Sequence, residues 1–443
     1  MKRIISVIAL CFLILSLLVS CGKNGGESSS PEPSAGDLSP EPRSEPEESS
    51  REPASVSEES SRPPEKAENN SGTEVRFCAY SEKPYFAVIG TCTEGAVVHG
   101  ETTDGERVDS HSWHGWFSLR MKGDSLPVKV TIWETANGSD SEPYTYSLRP
   151  RTPDSGTGVV TGKNTQFFYQ KALPDYQRKN VIGDKAVENI AEKVKTRLSY
   201  LREKNENAEM IYIIVPSAAT AYPENVPDEY TVQPGPSRMD RFLEAVRKGG
   251  AYAIDLREVF EPHKYDEMPL FQHFDSHWTD YGAYLAYEAL FDHISERFPA
   301  AKPLPLDAFD WNPDFYESGD MPMYLSLPPE QVMDYGYYRK FAVDAPKQIT
   351  DVIRYRRENN LVYSEAVTQQ RRFDTGRPEL PTCVVLRDSF GAQIYDILAE
   401  RMNITDYRGM WNYSWVTAEI TADSPDYVII LVAEWNLTTL MGT

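Results

Sequence analysis

Cysteine is scarce in this chain, with five in 443 residues, which excludes a small fold framed by disulfides. Basic charge is also in short supply: 45 Lys and Arg stand against 67 Asp and Glu, a formal net charge of −22. With no basic stripe to follow a phosphate backbone, a general nucleic-acid binder is excluded. Beyond the N-terminus no further apolar run reaches membrane-spanning length. What is present is core material. Hydrophobic residues make up 40% and aromatics 12%, too many for a chain disordered throughout. The length allows two or three domains.

The N-terminus reads as an address. Lys2 and Arg3 precede an apolar run from Ile4 to Leu18, short for a membrane span and suited to a secretory signal. It ends in Leu18-Val19-Ser20-Cys21, which resembles the bacterial lipobox. Residues 1–21 are therefore expected to be a lipoprotein signal peptide, with Cys21 acylated as the mature N-terminus. The body would then sit outside the cell membrane on a lipid anchor. Residues 22–72 are rich in Ser, Pro and Glu, with 12 acidic and 5 basic residues, and read as a disordered, extended tether.

From residues 73 to 150 short alternating runs such as Tyr85-Phe86-Ala87-Val88-Ile89 and Val128-Lys129-Val130-Thr131-Ile132 are broken by turn residues such as Thr103-Asp104-Gly105. That rhythm predicts a small immunoglobulin-like β-sandwich, serving as a spacer or a weak binding module. His111, Trp113, His114 and Trp116 could form a metal or sugar site there, or simply pack. Cys78 and Cys92 could pair, which sequence does not decide.

Residues 151–443 alternate strand-like and helix-like segments. Met210–Val215, Ala251–Leu256, Cys383–Leu386 and Tyr427–Val432 read as buried strands; Lys185–Lys204, Arg238–Lys248 and Thr279–Phe298 read as helices. The pattern predicts an α/β domain with a largely parallel sheet. Pro299–Pro381, irregular and rich in aromatics and proline, is expected to form long loops over the sheet edge.

Two stretches carry chemistry. In His273-Phe274-Asp275-Ser276-His277-Trp278-Thr279, Asp275 and His277 share one face of an extended backbone, as a carboxylate orienting a general-base imidazole requires. In Leu386-Arg387-Asp388-Ser389-Phe390-Gly391 a serine sits on a strand-to-helix turn, where backbone N–H groups can meet an oxyanion. Ser389, His277 and Asp275 thus supply nucleophile, base and orienter. A competing reading has His273, Asp275 and His277 alternate on one face as zinc ligands; the reading adopted uses no metal or cofactor.

These stretches, with Gly162-Lys163-Asn164, Val215-Pro216-Ser217, Tyr222-Pro223-Glu224-Asn225-Val226-Pro227, Gly319-Asp320-Met321 and Glu434-Trp435-Asn436-Leu437, resemble the DHHW proteins. That family is related to the alginate O-acetyltransferases of the SGNH-hydrolase superfamily. The resemblance implies a flavodoxin-like α/β fold with permuted motif order, Asp and His preceding Ser. It maps Ser389, His277 and Asp275 onto the family triad and Tyr395 onto a site tyrosine. Three positions depart from the family: Ser276 replaces a histidine, Ala218 a lysine, and Trp435 an arginine. Arg408 is a candidate for the missing cationic contact. Trp278, Tyr281, Tyr284 and Trp411 are candidates to line a sugar groove, although the spacing of Tyr281 and Tyr284 also suits core packing. The resemblance further implies a polysaccharide acceptor and a membrane-bound O-acyltransferase partner supplying acetyl groups. A carbohydrate acetylesterase and a non-catalytic polysaccharide-binding lipoprotein are the alternatives.

Overall fold

The structure, a computed structural model, describes residues 72–123, 126–153, 158–317, 319–328, 331–342, 348–349, 370–409, 415 and 417–442. Cys21, Trp411 and the tether up to residue 71 lie outside them. Among the described residues no helix is long and apolar enough to cross a membrane.

Eight strands come first: β1 (Glu74–Glu82), β2 (Tyr85–Thr91), β3 (Val97–Thr102), β4 (Arg107–His111), β5 (Trp116–Lys122), β6 (Val128–Ala136), β7 (Ser139–Asp140) and β8 (Tyr144–Leu148). They make two antiparallel sheets, β1-β2-β5 and β4-β3-β6-β7, with β8 also on β6. In β6 Val128, Val130 and Ile132 point inward and Lys129 outward, the two-residue period of a half-buried strand. They meet Phe86, Val88, Phe117 and Leu119 between the sheets. This is the expected sandwich. Its cysteines Cys78 and Cys92 are free thiols. The middle of β2 is buried along both faces, because Ala87 and Ile89 turn away from the sandwich core into a second cluster with Val159, Phe167, Phe274 and Met321. A free-standing spacer would expose that face.

The second region opens with the antiparallel pair β9 (Val159–Thr161) and β10 (Phe167–Tyr169), then α1 (Asp184–Arg202), β11 (Glu209–Val215), α2 (Arg238–Lys248), β12 (Tyr252–Asp255) and α3 (Asp280–Arg297). β13 (Phe309–Glu317), β14 (Met333–Phe341), β15 (Gln348–Ile349), β16 (Arg371–Asp374), β17 (Thr382–Arg387), α4 (Tyr395–Glu400), β18 (Ile404–Gly409) and β19 (Tyr427–Ala433) follow. Helix α1 buries Val187, Ile190, Ala191, Val194, Leu198 and Leu201, one stripe at helical spacing. A Ser237–Asp240 capping box starts α2, and Thr279 caps α3. Alternate residues of β11 face opposite clusters: Met210, Tyr212 and Ile214 meet α1 and α2, while Ile211, Ile213 and Val215 meet α3. Both faces of the sheet are therefore covered, and its central strands are apolar throughout.

The main sheet runs β12-β11-β19-β17-β18-β16-β15. The first four pairings are parallel and the last two antiparallel. Counted from β17, its parallel part reads 2-1-3-4-5, the flavodoxin-like order, so the permutation expected from the motif order is present. The switch point lies between β17 and β19. Pro299–Pro381 departs from the loop expectation. β13 and β14 pair antiparallel over nine residues, and β16 extends the main sheet. Pro313 is compatible with β13 because that strand pairs on one side only.

Candidate active site

β17 is followed by Asp388, whose extended backbone caps a 3₁₀ turn from Ser389 to Ile394. The Asp388 carboxylate accepts the Phe390 N–H (3.0 Å), the Ala433 N–H (2.8 Å) and the Asn436 side-chain amide (2.7 Å). One buried group thus ties the ends of β17 and β19 at the switch point. Burial raises its pKa above the usual carboxylate range, against these donors. Gly391 is needed here, since a β-carbon would fall 2.8 Å from the Arg387 side chain. Of the N–H groups expected to face an oxyanion, that of Phe390 serves the cap and that of Gly391 goes to the Asp388 carbonyl. The Ser389 N–H has no partner among the described residues.

The opposing segment precedes α3. Phe271 bridges to Trp278, Gln272 N–H donates to the His277 carbonyl, and Thr279 N–H to the Leu270 carbonyl. Asp275 Oδ1 accepts the His277 backbone N–H (2.8 Å) and its Nδ1 (2.6 Å), and His277 Nε2 lies 2.7 Å from Ser389 Oγ. All three expected residues are brought together. Burial alone would lower the His277 pKa, but the charge and hydrogen bond of Asp275, with Asp320 and Asp388 nearby, push it up to about 9. Against the same burial penalty, that imidazole holds Asp275 below the usual carboxylate range.

Two further residues support Asp275. Asp320 donates its N–H to Asp275 Oδ2 (3.2 Å), while its carboxylate accepts the Ser276 N–H (2.9 Å) and Oγ–H (2.6 Å). Burial, reinforced by the Asp275 charge, raises Asp320 to about 6. At Gly319 any β-carbon would collide with the Asp275 carboxylate. The sequence reading carried Gly319-Asp320-Met321 only as part of a family pattern; an acidic residue beside a glycine 45 positions away gives no local sign of its role. Residues 273–277 bend rather than run as a strand, and the Ser276 hydroxyl meets Asp320, the same residue that supports Asp275.

Other candidates are placed differently. Trp278 is fully buried; its indole N–H donates to the Phe390 carbonyl (2.9 Å). It joins the two halves of the site from within the core rather than lining a sugar groove. Tyr281 and Tyr284 are also buried in that core. Arg408 is no free cationic contact, because its guanidinium is buried and bonded to Glu419 (2.5 Å) and Asp406 (3.2 Å). Tyr395 packs between the guanidinium groups of Arg371 and Arg387, 5.0 and 4.9 Å from its ring, and edge-on to Tyr407. His273 leaves the ligand set proposed for zinc: its ring stacks on Trp113 at 3.7 Å and its Nδ1 faces the Thr165 carbonyl. Among the described residues, Asp275, His277 and Asp320 are close enough to share an ion, but the carboxylate oxygens already accept N–H and O–H groups. Trp435, in the place of an arginine, packs edge-on against Phe390 and Tyr169.

Residues 159–353 match the family described as SGNH hydrolase-like domain, acetyltransferase AlgX. The second region is thus similar to an SGNH hydrolase-like domain. The matched span contains Asp275, His277, Gly319 and Asp320; Ser389 lies beyond it and meets them at His277. Among solved structures, the O-acetyltransferase domain of Pseudomonas putida AlgJ is 18% identical, over 63% of this chain and 92% of that one, with a TM-score of 0.39. Bacillus cereus PatB1 is 16% identical over 63% and 96%, TM-score 0.45. A DHHW family protein from Eubacterium siraeum is 13% identical over 71% and 94%, TM-score 0.42. No curated protein matches the chain.

Proposed function

We propose that this chain is a membrane-anchored, extracytoplasmic O-acetyltransferase that moves acetyl groups to hydroxyls of a polysaccharide through an acyl-serine. One observation carries the reading: the hydrogen-bonded chain Asp275–His277–Ser389 stands at the switch point of an SGNH hydrolase-like domain. In the first half-reaction His277 Nε2 takes the Ser389 proton as Oγ bonds to the acetyl carbonyl carbon. Collapse of the tetrahedral intermediate breaks the bond to the donor oxygen, which leaves with the proton from His277. In the second half, His277 takes the proton of a sugar hydroxyl, whose oxygen attacks the acyl carbon. Collapse then breaks the acyl–Oγ bond and returns a proton to Ser389. The Ser389 N–H is the proposed donor to both oxyanions.

Cys21 supplies the lipid anchor in this proposal and the acidic tether supplies reach. Acetyl-CoA is absent outside the cell, so a membrane-bound O-acyltransferase partner would deliver the acyl group. The test incubates the full-length protein with a chromogenic acetyl ester, with and without oligosaccharides, beside Ser389→Ala. An acetylated Ser389 peptide and oligosaccharide-dependent transfer are expected. Turnover to free acetate alone, whatever oligosaccharide is supplied, would establish the esterase instead. A folded protein giving neither acyl-serine nor turnover would overturn both enzymatic readings.

A further inference from the structure

The sandwich reaches the acid–base half of the site through a few specific contacts. Asp334, on β14, is fully buried. Its carboxylate accepts the Trp113 indole N–H from the sandwich (3.1 Å), the Phe274 backbone N–H (2.8 Å) and the Tyr335 N–H (2.8 Å). Phe274 immediately precedes Asp275. Its fully buried ring sits in a cluster shared by Ile89 and Trp116 of the sandwich with Phe167 and Met321. Met321 in turn follows Asp320. Both carboxylates that set the His277 imidazole therefore have a chain neighbour buried against the sandwich. Trp113 also stacks on His273 at 3.7 Å, with ring planes 5° apart.

We propose that Trp113 and Asp334 are positioning residues for the Asp275–His277 pair, so that the β-sandwich is a working part of the active site rather than a spacer. The inference rests on the catalytic reading above, but its geometric content is independent of which acyl acceptor is used. A peptide N–H held at Phe274 fixes the backbone one residue from Asp275, and small misplacement of a catalytic group costs up to about a hundredfold in rate. The segment from residue 270 to 279 lies outside the main sheet, so it is held contact by contact: Asp320 grips Asp275 and Ser276, the Phe167 N–H donates to the His273 carbonyl, and Asp334 holds Phe274. Among the described residues, the titratable groups facing the pair are Asp320 and Asp388 around His277, Asp334 itself behind Asp275, and Tyr324, whose pKa burial and the charges of Asp320 and Asp275 raise. His273 and His114 belong to the joint, where burial lowers both imidazole pKa values, to about 3 for His273.

The test compares full-length Trp113→Phe, Trp113→Ala and Asp334→Asn with the parent. Trp113→Phe keeps a ring against His273 while removing the N–H donor. The readouts are kcat and KM on a small acetyl ester and the NMR titration of His277, assigned by loss of its signal in His277→Asn. The expected result is a kcat lowered about tenfold in Trp113→Phe and up to about a hundredfold in Asp334→Asn, with KM within about twofold. His277 should titrate at lower pH, because a loosened Asp275 stabilises the imidazolium less. Unchanged kcat and His277 titration in folded Trp113→Phe and Asp334→Asn would overturn the proposal, and Trp113→Ala is not needed if it fails to fold. Rate losses that follow unfolding alone, with His277 titrating as in the parent, would overturn it equally. If the parent turns over no ester but His277 still shifts in the variants, the positioning role stands and the enzymatic reading falls.

Discussion

The two halves of the site are held by different means. Ser389 belongs to the sheet: the strand before it is buried, and Asp388 ties its turn to the end of β19 through Ala433 and Asn436. Asp275 and His277 belong to a segment outside that sheet. They are held by Asp320 and Gly319 from the stretch before β14, by Asp334 on β14, and by Trp113 from the sandwich. Trp278 crosses between the halves, its indole donating to the Phe390 carbonyl beside Ser389. A nucleophile at a switch point takes its position from backbone pairing already required by the fold. An acid–base pair on a loop needs support side chain by side chain, and a longer list of residues can disturb it.

Removing the groups that meet at the centre should have the largest effect. Ser389→Ala and His277→Ala are each expected to lower kcat/KM by about 10⁴-fold or more with the fold intact, measured by ester turnover beside circular dichroism. Comparable turnover in Ser389→Ala would move the chemistry elsewhere. Next comes the loop's tightest contact. Gly319→Ala places a methyl on the Asp275 carboxylate, and about a hundredfold loss of kcat is expected, where an alanine at exposed Gly183, whose β-carbon meets nothing, should be silent.

The pH profile sharpens the contrast further. The general base works as neutral imidazole, and the surrounding carboxylates keep His277 protonated up to about 9. So kcat/KM should rise with pH through the mildly alkaline range. Asp320→Asn removes one negative charge facing the imidazolium, so the rising limb should move to lower pH; a limb that stays in place would mean that Asp320 does not act on His277. The smallest effect is expected on the serine side. Asn436→Ala leaves Asp388 two backbone donors, and a stability loss of about 1 kcal/mol is expected, read by denaturant unfolding.

Much of the architecture was legible in the chain. The apolar runs around Ile211 and Ile429 read as buried strands, and Thr279 marked a helix start because caps are local chemistry. That Ser389, His277 and Asp275 meet was legible because residue type and spacing point to one arrangement. Trp278 misled, since an aromatic beside a catalytic histidine looks alike in sequence whether it faces sugar or the core. Arg408 misled for a related reason: its partner Glu419 is eleven residues away, across a strand end and a stretch outside the described residues. Trp113 was readable only as one of several scattered aromatics, although it packs 160 positions away in sequence on His273.

The chain by itself determined the order of its segments, the alternation that makes a parallel sheet, and the identity of the three residues that meet at Ser389. Those follow from local periodicity and side-chain chemistry. Tertiary structure alone decided that Asp320 and Gly319 embrace Asp275, that Arg408 is bonded to Glu419, and that the sandwich packs against the segment carrying Asp275 and His277. The reason is physical: each is a buried contact between distant segments, whose energy depends on desolvation and on angle, and neither quantity is written in the spacing of residues along the chain.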